Sequence, residues 1–258
     1  MTKDSRSLVP VDPSGLEDIA IGLLNSTTTE KPQDEGVSVK ANINPKDYIR
    51  IPNTKILIAK QETHKGKNWE ETIYALGNEG LFMPSPAIFI PYFLKIKEAN
   101  EGKSTLYDGS NNPISIAEIG YLYKYMTSGH RGGCWIWLDA KFMQDKASWY
   151  VESNHSPIKN NKGLNSTKLP LEACLREDAY VNLSFNSQGL ATSKSPNQNY
   201  VQGSNIYFYH PRENCVAWFR ADSDWVNLYC GGDPQFTNAG LGVFACAEGT
   251  DEKNKGVK

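Results

Sequence analysis

Small or apolar residues alternate with chemically mixed residues through positions 217–231, in two segments that meet at Asp224 and Trp225. The first set is Ala217, Phe219, Ala221, Ser223, Val226, Leu228 and Cys230. The second set is Trp218, Arg220, Asp222, Asp224, Trp225, Asn227, Tyr229 and Gly231. Because successive side chains of a β-strand point to opposite faces, this period predicts two strands with one buried and one exposed face. The second set mixes aromatic, acidic and amide groups with an arginine, which is typical of binding surfaces.

Composition and charge exclude several classes of function. Of the 258 residues, 39% are hydrophobic and 22% are charged, and the formal net charge is −2 at neutral pH. A chain with this balance has no basic surface for nucleic acid, so no nucleic-acid partner is expected. No apolar run approaches the roughly 20 residues of a membrane span, so membrane insertion is not expected. The first residues lack an apolar secretory segment, and the sequence assigns no cellular location.

The order of the patterns predicts an α+β fold in a single domain at 37–248. Residues 1–36 are polar and predict a flexible leader, and 249–258 predict a flexible tail. Helical spacing dominates about 60–130, whereas short strand patterns separated by loops dominate 132–248. We therefore expect helices mainly in the N-terminal half, a loop-rich β-sheet in the C-terminal half and one continuous core.

Helical spacing predicts three helices. The first runs from Trp69 to about Gly77, and the third runs from Ile116 to a stop at Gly129. The second covers about 86–99 and contains Pro91, which suits a first helical turn and makes a start at Pro91 the alternative. Besides the two alternating segments, strands are predicted at 55–60, 132–143, 148–153, 169–175, 180–186 and 204–211. For 169–175, a short helical turn is the alternative.

Outside the alternating segments, little in the sequence indicates chemistry. No phosphate-binding loop, dinucleotide fingerprint or nucleophile elbow is present, so no cofactor is expected. The four histidines are not spaced for zinc, and no metal ligand or catalytic residue is assigned. The glycine-rich segment 128–134 is interpreted as a structural loop, with an anion cradle or a Cys134–His130 nucleophilic pair as alternatives. Asp139, a charge within an apolar strand, is interpreted as a hydrogen-bonded structural residue.

The five cysteines are interpreted mainly as buried thiols that pack as small hydrophobes. Their number is odd, and no C-x-x-C motif is present, so neither a disulfide framework nor a redox motif is indicated. Cys230 and Cys246 both fall on apolar strand positions, and a disulfide between them is the alternative.

Residues Val216 to Glu248 resemble the variable region of an archaeal diversity-generating retroelement variable protein, through the pattern VAxFxAxSxxVxLxCxxxPxxTxAGLGVFACAE. In that family, an error-prone reverse transcriptase randomises template adenines, most often in AAC codons. Nine outward or loop residues belong to the set that such codons yield: Arg220, Asp222, Asp224, Asn227, Tyr229, Gly231, Asp233, Phe236 and Asn238. Trp218 and Trp225 lie outside this set, so they derive from another template codon or are fixed scaffold residues.

The resemblance implies a C-type lectin fold with a variable region at about 216–240, whose outward side chains bind a ligand. It implies a receptor role without catalysis, for an unidentified ligand that we expect to be a protein, and we expect the chain to be a monomer. We call the nine residues together with Trp218 and Trp225 the predicted variable face. Diversification requires positions that can change while the fold is kept. The alternation provides them, since core positions tolerate substitution poorly whereas exposed positions tolerate it well.

Two alternatives remain open at the level of the sequence. Formylglycine-generating enzymes share the C-type lectin fold and use cysteines in their C-terminal region, so Cys230 and Cys246 are candidates for an active pair. The other alternative is a surface or structural protein without diversified binding.

Overall fold

Three helices and two β-sheets form the part of the chain that the computed structural model describes, residues 38–39, 41–129, 132–159 and 163–250. The predicted leader at 1–36 lies outside these residues, as does the predicted tail from residue 251 onward. Gly249 and Thr250, which the sequence places in the tail, instead belong to the last strand.

The helices are α1 (Trp69–Asn78), α2 (Pro86–Asn100) and α3 (Ile116–Ser128). The strands are β1 (Ser38–Val39), β2 (Tyr48–Arg50), β3 (Ile56–Ala59), β4 (Cys134–Asp145), β5 (Ser148–Pro157), β6 (Leu164–Pro170), β7 (Ala179–Asn182), β8 (Asn205–Tyr209), β9 (Val216–Ala221), β10 (Val226–Gly232) and β11 (Cys246–Thr250). The predicted α+β class is confirmed, with the helices in the first half of the chain and the larger sheet in the second.

Local sequence signals account for the ends of the helices. Asn68 and Glu71 form a reciprocal capping box at the start of α1. The side chain of Ser115 caps α3, and Gly129 ends it in the left-handed conformation at φ 62°. The second helix begins at Pro86 rather than at Pro91, which lies inside it. Burial of Phe89 and other residues before Pro91 compensates for the hydrogen bond that an internal proline removes.

The larger sheet has seven strands in the order β6-β5-β4-β9-β10-β8-β7, and the smaller has four in the order β1-β11-β3-β2. All neighbours are antiparallel except β10 and β8, which are parallel. The hairpin of β9 and β10 therefore lies in the middle of the larger sheet. The strand predicted at 169–175 lies earlier in the chain, because β6 runs from Leu164 to Pro170. Its last two residues, Leu169 and Pro170, pair with Val151 and Tyr150 of β5.

Two hydrophobic cores lie on opposite faces of β4 and β9, in place of the single core expected. The main core packs one face of the larger sheet against α2 and α3, and it includes Phe89, Phe219 and Leu228. The second core packs α1, β3 and the segment 241–247 against the other face through Trp137 and Val216. The outer face of the larger sheet, which is the face opposite the main core, is therefore covered by the second core at Trp137 of β4 and Val216 of β9. A binding site on the outer face can include only the part of the sheet that the second core leaves uncovered.

Candidate binding face

The inward half of the alternating pattern is confirmed as core. Six residues of the first set are buried with 1% exposure or less: Ala217, Phe219, Ala221, Val226, Leu228 and Cys230. Phe219 pairs directly with Leu228 across the hairpin, and both belong to the main core. Ser223 is the exception, because it lies exposed in the turn between the strands.

The outward half of the pattern is less exposed than the alternation predicts. Tyr229 lies opposite Trp218, and Asn227 lies opposite Arg220, so these four side chains share the outer face of the hairpin. Trp218, Arg220 and Tyr229 are half-buried, and Asn227 is only 2% exposed. Asn227 lies between two long side chains in register, Arg220 on one side and Tyr207 on the other. The expectation of an exposed Asn227 is therefore wrong.

Neighbouring strands add aromatic residues that the predicted variable face does not contain. In β4, Trp135 pairs with Arg220 and Trp137 pairs with Trp218. In β8, Tyr207 and Tyr209 lie beside Asn227 and Tyr229, and Tyr180 of β7 lies beside Tyr207. Two rows therefore cross the sheet. They are Tyr180–Tyr207–Asn227–Arg220–Trp135 and Tyr209–Tyr229–Trp218–Trp137. In the sequence, the period-two alternation at 134–138 and 205–209 is the pattern that would have predicted these rings on one face of a strand.

Ring contacts connect these side chains into one surface. Trp218 and Tyr229 stack with centroids 4.6 Å apart, and Tyr229 contacts Tyr209 at 4.5 Å. Tyr209 contacts Tyr207 at 4.8 Å, and Tyr207 contacts Tyr180 at 4.9 Å. We call the half-buried rings of this surface the aromatic face: Trp135, Tyr180, Tyr207, Tyr209, Trp218 and Tyr229.

The second core closes one end of the aromatic face. Trp137 is fully buried there, and its ring centroid lies 5.5 Å from that of Trp218. Phe236 packs beside Trp218 at 5.8 Å and beside Trp135 at 5.6 Å. At Gly232, an added Cβ would lie 2.7 Å from the Trp218 ring. Trp218 is therefore held on several sides, as a scaffold residue would be.

A polar network orders the turn that joins β9 to β10. The backbone N–H of Asp222 donates to the carbonyl of Trp225 at 2.9 Å, which closes the turn. The Asp222 carboxylate accepts from the Trp225 indole at 3.1 Å and from Arg220 Nε at 2.8 Å. The Arg220 guanidinium also lies over the Trp135 ring, 4.5 Å from its centroid. The charged groups at this end of the face are thus paired and oriented.

Gly129 and Gly133 of the glycine-rich segment pack closely against the backbone of this turn. A Cβ at Gly129 would lie 2.6 Å from the Asp222 carbonyl carbon, and one at Gly133 would overlap the carbonyl oxygen of Ala221. Both glycines have positive φ, at 62° and 85°. The loop thus has the structural role that we expected. The alternative Cys134–His130 pair lies partly outside the described residues, because His130 is not among them.

The remaining residues of the predicted variable face lie around this surface. Asp224, Asp233 and Asn238 are exposed, and the last two accept hydrogen bonds from Gln235 N at 2.9 Å and Gly240 N at 2.8 Å. Both therefore stabilise turns. Gly231 is half-buried, and an added Cβ there would lie 3.0 Å from Arg212 Cδ.

Arg212 belongs to a charged cluster beside the aromatic face. The Asp178 carboxylate accepts from His210 Nδ1 at 2.6 Å, from His210 N at 3.0 Å and from Arg212 Nη2 at 3.1 Å. Burial alone raises the pKa of Asp178, but the hydrogen bonds from His210 and the charge of Arg212 outweigh it and lower the pKa. The cluster holds the arginine at the edge of the face, next to Gly231.

The cysteines lie in surroundings that do not favour the enzyme alternative. All five are free thiols, and Cys134, Cys230 and Cys246 are fully buried. Burial raises the pKa of Cys230 and Cys246 well above the ordinary value, so both are neutral thiols and poor nucleophiles at neutral pH. The disulfide considered between them is not formed.

Asp139 is a buried carboxylate in β4, the strand that pairs with β9. It accepts from His155, with Oδ1 2.5 Å from Nδ1 and Oδ2 2.9 Å from the backbone nitrogen. It has the structural role expected of it. Among the described residues, no group of three or more His, Cys, Asp or Glu side chains is arranged to hold a metal ion.

Within residues 38–39, 41–129, 132–159 and 163–250, no helix is both long and apolar enough to span a membrane. Comparisons of the chain with protein-family models, with curated proteins and with solved structures find no match. The function is therefore inferred from the geometry of the face itself.

Proposed function

We propose that this protein is a ligand-binding receptor with a C-type lectin fold, that it binds a protein ligand through the aromatic face, and that a retroelement diversifies the outward residues of that face. The observation that carries the proposal is the continuous, half-exposed aromatic face with the polar β9–β10 turn at its edge. A surface of this kind on a single chain is typical of an interaction site.

The chemistry of the face suits recognition of a protein. Tyrosine and tryptophan offer large contact areas with few rotatable bonds, and together with arginine they dominate the binding energy of protein interfaces. Their positions on strands make the rings rigid, because each is held by its neighbours at centroid distances of 4.5 to 4.9 Å in the series of ring contacts that leads from Tyr180 to Trp218. A rigid surface loses little conformational entropy when it binds.

Diversification is supported by the separation of fixed and replaceable positions. The residues that alternate with the predicted variable face lie in the main core, where substitutions are costly. Asp224, Asp233 and Asn238 are exposed, so their replacement changes the surface and leaves the packing intact. Trp218 is packed on several sides, and we infer that it is a fixed scaffold residue.

The nucleotide sequence around the gene tests the diversification directly. We expect a reverse transcriptase gene nearby, together with an imperfect repeat of the segment that encodes 216–248. Differences between the two repeats should fall at adenines of the template and in codons of the predicted variable face. Absence of both the repeat and the reverse transcriptase gene would contradict the proposal.

A display library tests the binding role independently. The exposed positions 224, 233 and 238 are randomised with NNC codons, and folded members are selected against a panel of purified proteins. We expect binders whose thermal midpoints match that of the parent chain. A second library randomised at the exposed Glu101 and Lys103 at the end of α2 and at Lys124 of α3, helices that pack on the opposite side of the larger sheet, is the control and should yield none. Failure to obtain binders from the first library would refute the binding role.

A further inference from the structure

Two buried polar atoms on the outer face of the sheet have no hydrogen-bond partner among the described residues. One is Oδ1 of Asn227, a residue that is only 2% exposed. The other is the indole nitrogen Nε1 of Trp135. The first atom is an acceptor and the second is a donor. Buried polar groups nearly always have partners, so two open groups on a candidate binding face point to groups that a ligand supplies.

Two comparable groups on neighbouring positions of the larger sheet are satisfied. Asn205, on the adjacent strand β8, is also 2% exposed, and its Oδ1 accepts from the backbone nitrogen of Val201 at 2.7 Å. Its Nδ2 donates to the carbonyl of Asn199 at 2.8 Å. The buried indole of Trp137 donates to the carbonyl of Lys67 at 3.1 Å. Buried side-chain atoms without a partner also occur elsewhere among the described residues, such as Asn111 Oδ1 and Tyr92 Oη, but within the described strands of the larger sheet they are confined to Asn227 and Trp135.

The spacing of the two open groups corresponds to a short extended chain. Asn227 on β10 and Trp135 on β4 lie in the same row, separated by Arg220 on β9. Two strand intervals amount to about 9–10 Å, and an extended chain rises about 3.3 Å per residue. Three residues of extended peptide therefore cover the distance between them. Every peptide unit carries one N–H donor and one C=O acceptor, which are the two groups that this row lacks.

We propose that Asn227 and Trp135 bind the backbone of an extended segment of the protein ligand, about three residues long and lying across the strands. Asn227 Oδ1 accepts from a ligand N–H, and Trp135 Nε1 donates to a ligand carbonyl. The inference rests on the proposed function, since it assigns the ligand chemistry of the same face. Asn227 is then a fixed position, as Trp218 is, rather than one of the variable positions predicted from the sequence. Backbone recognition is independent of the ligand's side chains, which suits a face whose other residues change.

Arg220 is the group that moves when the segment binds. Its guanidinium stacks over Trp135 at 4.5 Å and pairs with Asp222 at 2.8 Å, and its side chain is 36% exposed. Ion pairs and cation–π contacts at exposed sites are weak, so the guanidinium can swing aside at little cost and uncover the indole. The half-buried rings of Tyr207 and Tyr229, next to Asn227, then contact the side chains of the segment.

The probe is acetyl-tetraalanine amide, and its control is the same peptide methylated at every backbone nitrogen. Titration is followed by the indole N–H resonances in NMR spectra. We expect one indole resonance to shift saturably with the first peptide, and we expect that resonance to be missing in Trp135→Phe. The methylated peptide, which lacks N–H donors, should bind about tenfold more weakly. Equal binding of the two peptides, or no binding of either, would overturn the inference.

Paired variants separate a ligand contact from a structural role. Asn227→Leu removes an unpartnered acceptor, so we expect an unchanged or higher thermal midpoint together with about tenfold weaker peptide binding. Asn205→Leu, the matched control, breaks satisfied hydrogen bonds and should lower the midpoint. An Asn227→Leu variant that binds the peptide as well as the parent does would contradict the inference.

The same variants distinguish this inference from the proposed function. If library binders are obtained and their affinities are insensitive to both Asn227→Leu and Trp135→Phe, backbone recognition is wrong although the binding role stands. If the library yields no binders although the tetraalanine probe binds as described, the binding role for proteins fails while the peptide-backbone site is retained.

Discussion

The indole of Trp218 and the phenol ring of Tyr229 lie nearly parallel, 10° apart, with their centroids separated by 4.6 Å. The two residues are directly opposite each other in β9 and β10. The stack connects a tryptophan that packs against the second core with a tyrosine on the outer face. Tyr229 is thereby held rigidly by the scaffold, and the aromatic face begins where the second core ends.

Substitutions at the exposed and buried positions of the hairpin region should differ sharply in cost. Replacing Asp224, Asp233 and Asn238 together with serine should change the free energy of unfolding by about 0.5 kcal/mol or less per site, because all three are exposed and a serine hydroxyl can accept the turn hydrogen bonds that Asp233 and Asn238 accept. Leu228→Ala should cost about 2–5 kcal/mol, because Leu228 is fully buried in the main core. Urea unfolding monitored by circular dichroism measures both. Similar losses in the two variants would contradict the assignment of the two faces.

Alanine at Gly133 should destabilise the protein more than alanine at Gly132. Both glycines have positive φ, 94° at Gly132 and 85° at Gly133, so both variants incur about 1–2 kcal/mol of backbone strain. Only at Gly133 does the added Cβ overlap a carbonyl oxygen, that of Ala221, whereas nothing lies within 4 Å at Gly132. The clash should add about 1–3 kcal/mol in urea unfolding. Equal effects would show that the loop does not support the turn.

Acid stability should depend on Asp178. Its folded-state pKa is below the ordinary 3.8, so its ionised form stabilises the fold above that pH. This contribution falls as pH drops below about 3.8 and is lost once pH passes through the lowered folded pKa. Asp178→Asn should therefore lose less stability than the parent between pH 5 and pH 2, as measured by thermal midpoints. Glu177→Gln, which removes an exposed charge paired with Lys194, is the control and should retain the parent's acid sensitivity.

Thiol reactivity should divide the five cysteines into two groups. Cys134, Cys230 and Cys246 are fully buried, and burial raises the pKa of each well above the ordinary value. Cys174 and Cys215 are partly exposed, and burial raises their pKa as well. We expect a disulfide reagent at neutral pH to modify two thiols in the native protein and five after unfolding. Rapid native modification of Cys230 or Cys246 would revive the enzyme alternative.

The larger features of the fold could be predicted from local patterns. Period-two alternation identified the buried faces of β9 and β10, and Gly129 marked the end of α3, whereas Gly77, the predicted end of α1, lies inside that helix, which continues to Asn78. Burial of Asn227 was missed because it depends on Tyr207, which is 20 residues away in the chain but adjacent in the parallel pair of β10 with β8. The start of α2 was also ambiguous, since packing of the turn before Pro91 decides it.

The sequence by itself determined which side of each strand is apolar, because side-chain direction alternates within a strand whatever its neighbours are. It also identified the residues that form turns. The cysteines could be interpreted as small apolar groups of the core. Only the tertiary structure decided which strands lie side by side. That order brings Trp135 from β4 and Tyr207 from β8 into one row with Asn227 and Arg220. Strand order depends on contacts between distant segments that bury both cores at once, and no local pattern records it.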